Sequence, residues 1–543
     1  MNDRTRRMPI ISRATRQALG WPLVGVLAAS GAAVQAQQGG ALSSRIESIA
    51  GAGSSTASGA GTAGRSLTID PRVSVTETYS DNVRLSNANK QSDFVTEINP
   101  GIRVTSRGAR VRGYLDYSLR GFYYANDSAQ GSGVNRLQNQ LNAAGTFEAI
   151  EDRAFVDVSA RVGQQAISAF GTQSFDNGSV NSNRTQVANY RISPYLRGRM
   201  GSIGTYEARY DWTTVRSDAA QASNLTTGNA LLRLQSDRSG RSLAWTLDAT
   251  HQETSYQLGR DIEADRVNGR LIYPINTQLD VSLLAGWESN NYATLVKESH
   301  GTGGVGMNWR PSPTTRLSVD IERRFFGQAH TVIFDHRTPL TGWTFRDIKQ
   351  ATVSATGLGT SSLGSLYDLL YDQFATQFPD PSQRAQAVEA ALRSNGFDPN
   401  TLVNTGFLSS GALVQRNQSL SFVLRGVRNT LTLSATRTES ERLNTVVSGN
   451  DDLSRAGAVR QQGLVASFSH RLTPITTVNL TASRQLTDSI GAFQGSNLRL
   501  LNANVSTQLG IRTYGSLGVR HVVYQGSTPY TENAVFGTVR VQF

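Results

Sequence analysis

Cysteine is absent from the 543 residues, which removes disulfide frameworks, thiolate metal sites and cysteine nucleophiles together. Lysine is nearly absent too, with Lys90, Lys297 and Lys349 its only occurrences, so the positive charge is almost all arginine. Beyond the first forty residues no apolar run approaches the ~18 residues that a spanning helix needs. With a mean hydropathy of −0.32, a helical membrane protein is excluded. A spanning β-barrel is not, because its strands alternate apolar and polar residues and average out. The six histidines, His251, His300, His330, His336, His470 and His521, are scattered and show no H-E-x-x-H spacing. No catalytic, cofactor-binding or metal-binding residue is therefore expected, and the chain reads as a non-enzyme. The arginines are spread over strands rather than clustered with aromatics, which argues against nucleic acid as a partner.

The chain is long enough for three or four ordinary domains or for one large β architecture. Its start has the order of a secretory signal: Arg4, Arg6, Arg7, Arg13 and Arg16, then an apolar stretch over 21–29, then small residues ending at Ala36. Removing residues 1–36 takes away five arginines and Asp3 and lowers the formal charge from +12 to +8. Residues 37–66 read as a flexible periplasmic tether, since their Gly/Ser/Ala/Thr tract 51–64 has no large apolar side chain to repay the entropy of ordering.

From Leu67 to Phe543 the pattern has period two, as a strand demands. Val111, Gly113, Leu115, Tyr117 and Leu119 oppose Arg112, Tyr114, Asp116, Ser118 and Arg120. Ala154, Val156, Val158, Ala160 and Val162 likewise oppose Phe155, Asp157, Ser159 and Arg161. The arrangement returns with Leu279, Val281, Leu283, Ala285 and Trp287 against Asp280, Ser282 and Glu288, and again with Val478, Leu480 and Ala482 against Thr477, Asn479 and Thr481. Segments of ten or more residues exceed the usual soluble strand. Their charged second face does not suit a sandwich, whose apolar face must meet a second layer.

Ten tight turns fall near residues 108, 152, 200, 238, 276, 313, 338, 427, 473 and 511, with longer polar loops between most of them. Outer-membrane barrels keep short turns inside and long loops outside. The expected fold is an all-β, antiparallel, up-and-down transmembrane barrel of about 22 strands, or 20 if the Arg337 turn is not formed, spanning 67–543. One insertion, 352–412, breaks the period. Leu363, Leu366, Tyr367, Leu370, Phe374 and Phe378 recur at helical spacing, and Asp380, Pro381 and Gly396 bound a second helix. It reads as a helical lid or plug. Gly301-Thr-Gly-Gly304 reads as an external loop.

Candidate lumen-lining residues are Arg112, Asp116, Arg120, Asp157, Arg161, Asp248, Asp280, Asp320 and Glu322. They would fasten the wall through cross-strand pairs, or their excess arginines would make it attract anions. The chain ends on Val539, Val541 and Phe543, which share a face and resemble the terminal signal read by the barrel-assembly machinery. The expected partners are that machinery and the outer-membrane bilayer.

The segments Val75-Thr-Glu-Thr-Tyr-Ser-Asp-Asn-Val83 and Ser92-Asp-Phe-Val-Thr-Glu-Ile-Asn-Pro-Gly101 resemble the opening of the outer-membrane barrel family associated with PEP-CTERM/exosortase systems and exopolysaccharide clusters. The likeness continues through Leu115-Asp-Tyr-Ser118, Phe325-Phe-Gly327, His336-Arg-Thr-Pro339 and Gly426-Val-Arg-Asn-Thr430. It implies a Gram-negative outer-membrane location and a porin-like role linked to exopolysaccharide export, biofilm matrix or surface sorting, with exopolysaccharide or its export components as partners. The alternatives are a general diffusion porin, which would fold a constricting loop inward, and an outer-membrane hydrolase, which would need a histidine–acid pair near the external rim.

Overall fold

In the computed structural model, the described residues are 67–132, 134–219, 224–237, 243–353, 388, 407–443, 451–489 and 495–543. They form twenty-two strands, from β1 (Leu67–Ser80) to β22 (Tyr530–Gln542), and one short helix, α1 (Asp452–Ala456). Each strand pairs antiparallel with the next in sequence, and β22 returns to β1 from Arg72↔Gln542 to Ser80↔Ala534. Closure leaves the sheet no free edge. The count is 22 rather than 20 because the turn after Arg337 forms: the Thr338 amide donates to the Thr341 carbonyl at 2.7 Å between β14 (Gly327–Arg337) and β15 (Thr341–Val353). All ten expected turns lie at one end, with both termini of the barrel.

The alternation turns the apolar face outward. In one row across β10 (Ile262–Pro274), β11 (Leu279–Asn290), β12 (Glu298–Ser312) and β13 (Thr315–Arg324), Leu271, Leu283, Val305 and Ile321 stand side by side. They are 49, 63, 55 and 37% exposed, while Glu288, on the opposite face of β11, is 1% exposed. A continuous exposed aliphatic surface of this kind is foreign to a soluble monomer and natural in hydrocarbon. Aromatics flank the band: Tyr79, Phe94, Tyr123, Tyr190, Trp212 and Trp287 toward the loop end, and Phe147, Tyr273, Trp309, Trp343 and Phe468 toward the turn end. The fold is a transmembrane β-barrel of outer-membrane type.

Buried apolar side chains gather at the loop end instead of in a central core. Leu85, Leu498, Leu500, Val522, Tyr524 and Tyr530 form one such cluster, and Val83, Val95, Phe122, Tyr124 and Ala129 another. Loops cover these inward-facing positions, so apolar residues replace charged ones there.

Two readings need correction. The Gly301–Gly304 stretch is not a loop but part of β12, paired throughout with β11 and, from Gly303 on, with β13 as well. The insertion is also narrower than 352–412, because Thr352 and Val353 complete β15 and Ala412 opens β16 (Ala412–Arg425). Its expected helices, apart from Val388, lie outside the described residues, as do the signal segment 1–36 and the tether 37–66.

Candidate conduit: the charged wall and its strapped mouth

The inner wall is held by arginines reaching over neighbouring strands to carboxylates. Asp116 on β3 (Val111–Tyr124) accepts from Arg72 on β1 at 2.5 Å and from Arg103 on β2 (Asp93–Arg107). Arg120 lies 3.6 Å from Glu97. Asp157 on β5 (Ala154–Ala166) accepts from Arg209 of β7 (Gly204–Ser217) at 2.9 Å, Asp248 from Arg233 at 2.6 Å, and Asp280 from Arg310 at 3.1 Å. Arg270 and Arg266 span from β10 to β13, meeting Asp320 at 2.8 Å and Glu322 at 2.6 Å. Of the sequence candidates, Arg112 is exposed beside the turn-end carbonyl of Ala109, and Arg161 is exposed between Asn142 and Asn189. Thus every candidate carboxylate has an arginine partner. The partners Arg72, Arg103, Arg209, Arg233, Arg266 and Arg270 escaped the sequence reading, since only register and curvature bring them into reach.

Glycines make the longest of these bridges fit. Gly304 and Gly306 of β12 stand opposite Glu322 and Asp320. A Cβ on Gly306 would collide with Asp320 and Ser282 and come within 3.3 Å of Arg270, and one on Gly304 would strike the backbone of Ile321 and Glu322. Without side chains there, the guanidinium groups pass over β11 and β12 to their acids.

The mouth is crossed by a strap, residues 167–183, between β5 and β6 (Arg184–Arg199). On one side the Tyr124 hydroxyl donates to the Gly178 carbonyl at 2.9 Å, and the Val180 amide to the Val83 carbonyl at 2.9 Å. Further round the wall, Tyr524 of β21 (Thr513–Gln525) donates to the Gly171 carbonyl at 2.9 Å and Tyr530 of β22 to the Gln173 carbonyl at 2.5 Å. Arg520 grips Asp176 at 2.7 Å and Glu532 at 3.0 Å. At its start the strap is tied to α1: the Ser168 hydroxyl and Ala169 amide donate to Asp452 at 2.8 and 2.6 Å. α1 sits between β17 (Asn429–Arg442) and β18 (Ala458–Arg471), twelve strands round from β5 in a ring of twenty-two. The strap therefore bridges opposite sides of the opening.

Electrostatics suit this anchorage. Burial works against the Asp176 carboxylate, but Arg520 and the Gly178 amide outweigh it and hold its pKa below the ordinary 3.8. Burial pushes the Asp452 carboxyl up, only partly offset by the Ala169 amide and Ser168 hydroxyl. Asp451 caps α1 through the Ser454 amide at 2.7 Å and also accepts from the Ser410 amide at 2.6 Å. By composition 168–183 reads as one of the longer polar loops, but nothing in its Ser, Gln, Asn and Gly content distinguishes an inward course from an outward one.

Near the turn end the wall carries a stack. Phe155 and Tyr195 face each other with ring centroids 5.0 Å apart, Arg197 lies over Phe155 at 4.4 Å and Arg209 over Tyr195 at 3.9 Å. Histidine–acid pairs do occur, at His251–Asp265 (2.6 Å) and His330–Asp347 (3.0 Å), both on the outward face. His251 uses its second nitrogen on Glu253 at 3.2 Å, so it has none left for a nucleophile. Among the described residues no three metal-ligating side chains cluster.

No family model matches the chain, and no curated protein matches it. Among solved structures it is similar to the FrpB iron transporter from Neisseria meningitidis (F3-3 variant), at 11% identity and TM-score 0.48 over 87% of this chain and 81% of that one. It is also similar to the siderophore receptor PirA from Acinetobacter baumannii, at 10% identity and TM-score 0.45 over 88% and 80%.

Proposed function

We propose that this chain is a porin-like conduit of a Gram-negative outer membrane, passing small solutes through a lumen narrowed by the 167–183 strap. The strap carries the reading: a segment pinned inside the rim by tyrosines and Arg520 sets an upper size for whatever passes. The lumen-facing candidates serve chiefly as the fastening of the wall, since each carboxylate is matched by an arginine. Val539 and Val541 pair with β1 at the barrel seam, and Phe543 lies exposed beside them, a placement that suits an assembly signal. Liposome swelling tests the conduit directly. Vesicles holding the protein should admit monosaccharides and exclude larger oligosaccharides, and equal impermeability to all sugars would refute it.

A further inference from the structure

The outward face changes character at the loop end. On β1, β2, β3, β6, β7 and β11 an aromatic side chain borders the band there, but from β13 to β20 (Ser496–Gln508) the border carries Arg323, Lys349, Arg416, Arg437, Arg460, Arg484 and Arg499. Some of these are neutralised within the wall: Arg416 by Asp347 at 2.6 Å, and Arg437 and Arg460 by Glu439 at 2.5 and 2.9 Å. Asp488 stands in register with Arg460.

Arg484 of β19 (Thr476–Ser489) and Arg499 of β20 differ. They stand directly opposite one another on adjacent strands, exposed, one step beyond the lipid-facing Ala482 and Leu501. Two like charges in register repel. Among the described residues Arg484 donates only to the neutral Asn497, at 3.2 Å, and no hydrogen bond or ion pair reaches Arg499. The connection from 490 to 495 contains no acidic residue either. One step further toward the loop end Asn497 donates to Gln525 at 3.2 Å, a polar pair just beyond the two arginines.

We propose that Arg484 and Arg499 clamp a phosphate of an outer-leaflet glycolipid headgroup, with the Asn497–Gln525 amides against its sugar. A phosphate between two guanidinium forks removes their repulsion and gains charge-assisted, bidentate hydrogen bonds. A lipid is favoured over a free anion because both side chains project from the rim of the hydrocarbon band, where acyl chains already hold headgroups at that height. The proposal rests on the outer-membrane reading, with the loop end outward.

The test uses the full mature chain in neutral detergent, titrated with bisphosphorylated lipid A, with the same lipid after phosphatase treatment, and with inorganic phosphate, with retention read by native mass spectrometry. Wild type should retain the phosphorylated lipid and not the dephosphorylated one. R484Q/R499Q should bind about 30-fold more weakly, at roughly 1 kcal/mol per arginine near a charged surface. R153Q/R512Q, which removes the same charge at the turn end, should bind as wild type. Unaltered circular dichroism shows that each variant is folded. Equal retention by both double variants would overturn the clamp, and so would competition by millimolar inorganic phosphate as effective as the lipid. Solubility of the chain without detergent would instead overturn the membrane reading, independently of the arginines.

Discussion

Replacing Leu283 with arginine probes which face meets lipid. On β11 the outward residues run Leu279, Val281, Leu283, Ala285 and Trp287, so Leu283 is the middle of five. Eight residues at ~3.3 Å, tilted ~40°, rise roughly 20 Å, close to the ~25 Å band of such barrels. Leu283 then lies about 10 Å from either edge, beyond easy reach of water. Arginine at that depth costs about 2–4 kcal/mol. The control is Asn229→Arg on β8 (Leu225–Ser236), which places the same side chain on the inner wall opposite Asp211 and should cost about 1 kcal/mol or less, because the carboxylate across the ladder offsets the desolvation of the arginine. Reversible urea unfolding from lipid vesicles measures both. Equal costs, or a larger cost for Asn229→Arg, would refute the assignment of faces.

Other consequences follow from the wall and the strap. Gly306→Val should destabilise the barrel by about 1–3 kcal/mol through overpacking and release Arg270 from Asp320, whereas Gly303→Val, on the outward face, should be mild; the same unfolding assay reads both. Arg520→Ala leaves Asp176 and Glu532 without their cation and should expose the strap to protease in the folded barrel, with Tyr530→Phe, which removes one hydrogen bond worth ~1 kcal/mol, adding to the effect. Because the folded pKa of Asp176 is depressed below 3.8, its contribution is complete above about pH 4 and is lost as pH falls through the lower folded value. Cleavage of the strap should thus stay constant from neutral pH to about pH 4 and rise below it, and a rise beginning near neutrality would contradict the Arg520 anchor.

The barrel was legible because period-two alternation is written along strands such as β11, and because its ten turns can be counted without knowing what pairs with what. The charged wall was half legible. Asp116, Asp157 and Asp320 announce an inner face by their position, but Arg72, Arg209 and Arg270 become their partners only once strands two or three apart are placed side by side. Gly301 to Gly304 misled because paired glycines usually mark a loop, whereas Gly304 here gives clearance to the backbone of the neighbouring strand. The strap was legible as a segment but not in its course, since tyrosines at 124, 524 and 530 hold it from distant parts of the chain. Arg484 and Arg499 carry no signal in the sequence, because only the register of their strands sets them face to face.

Conductance of single molecules in a planar bilayer bears most directly on the strapped conduit. Wild type should show small, steady steps, and a variant with residues 172–181 replaced by a short Gly-Ser link should show larger ones in the same salt. Identical steps in the two proteins, or silence from both, would contradict the account.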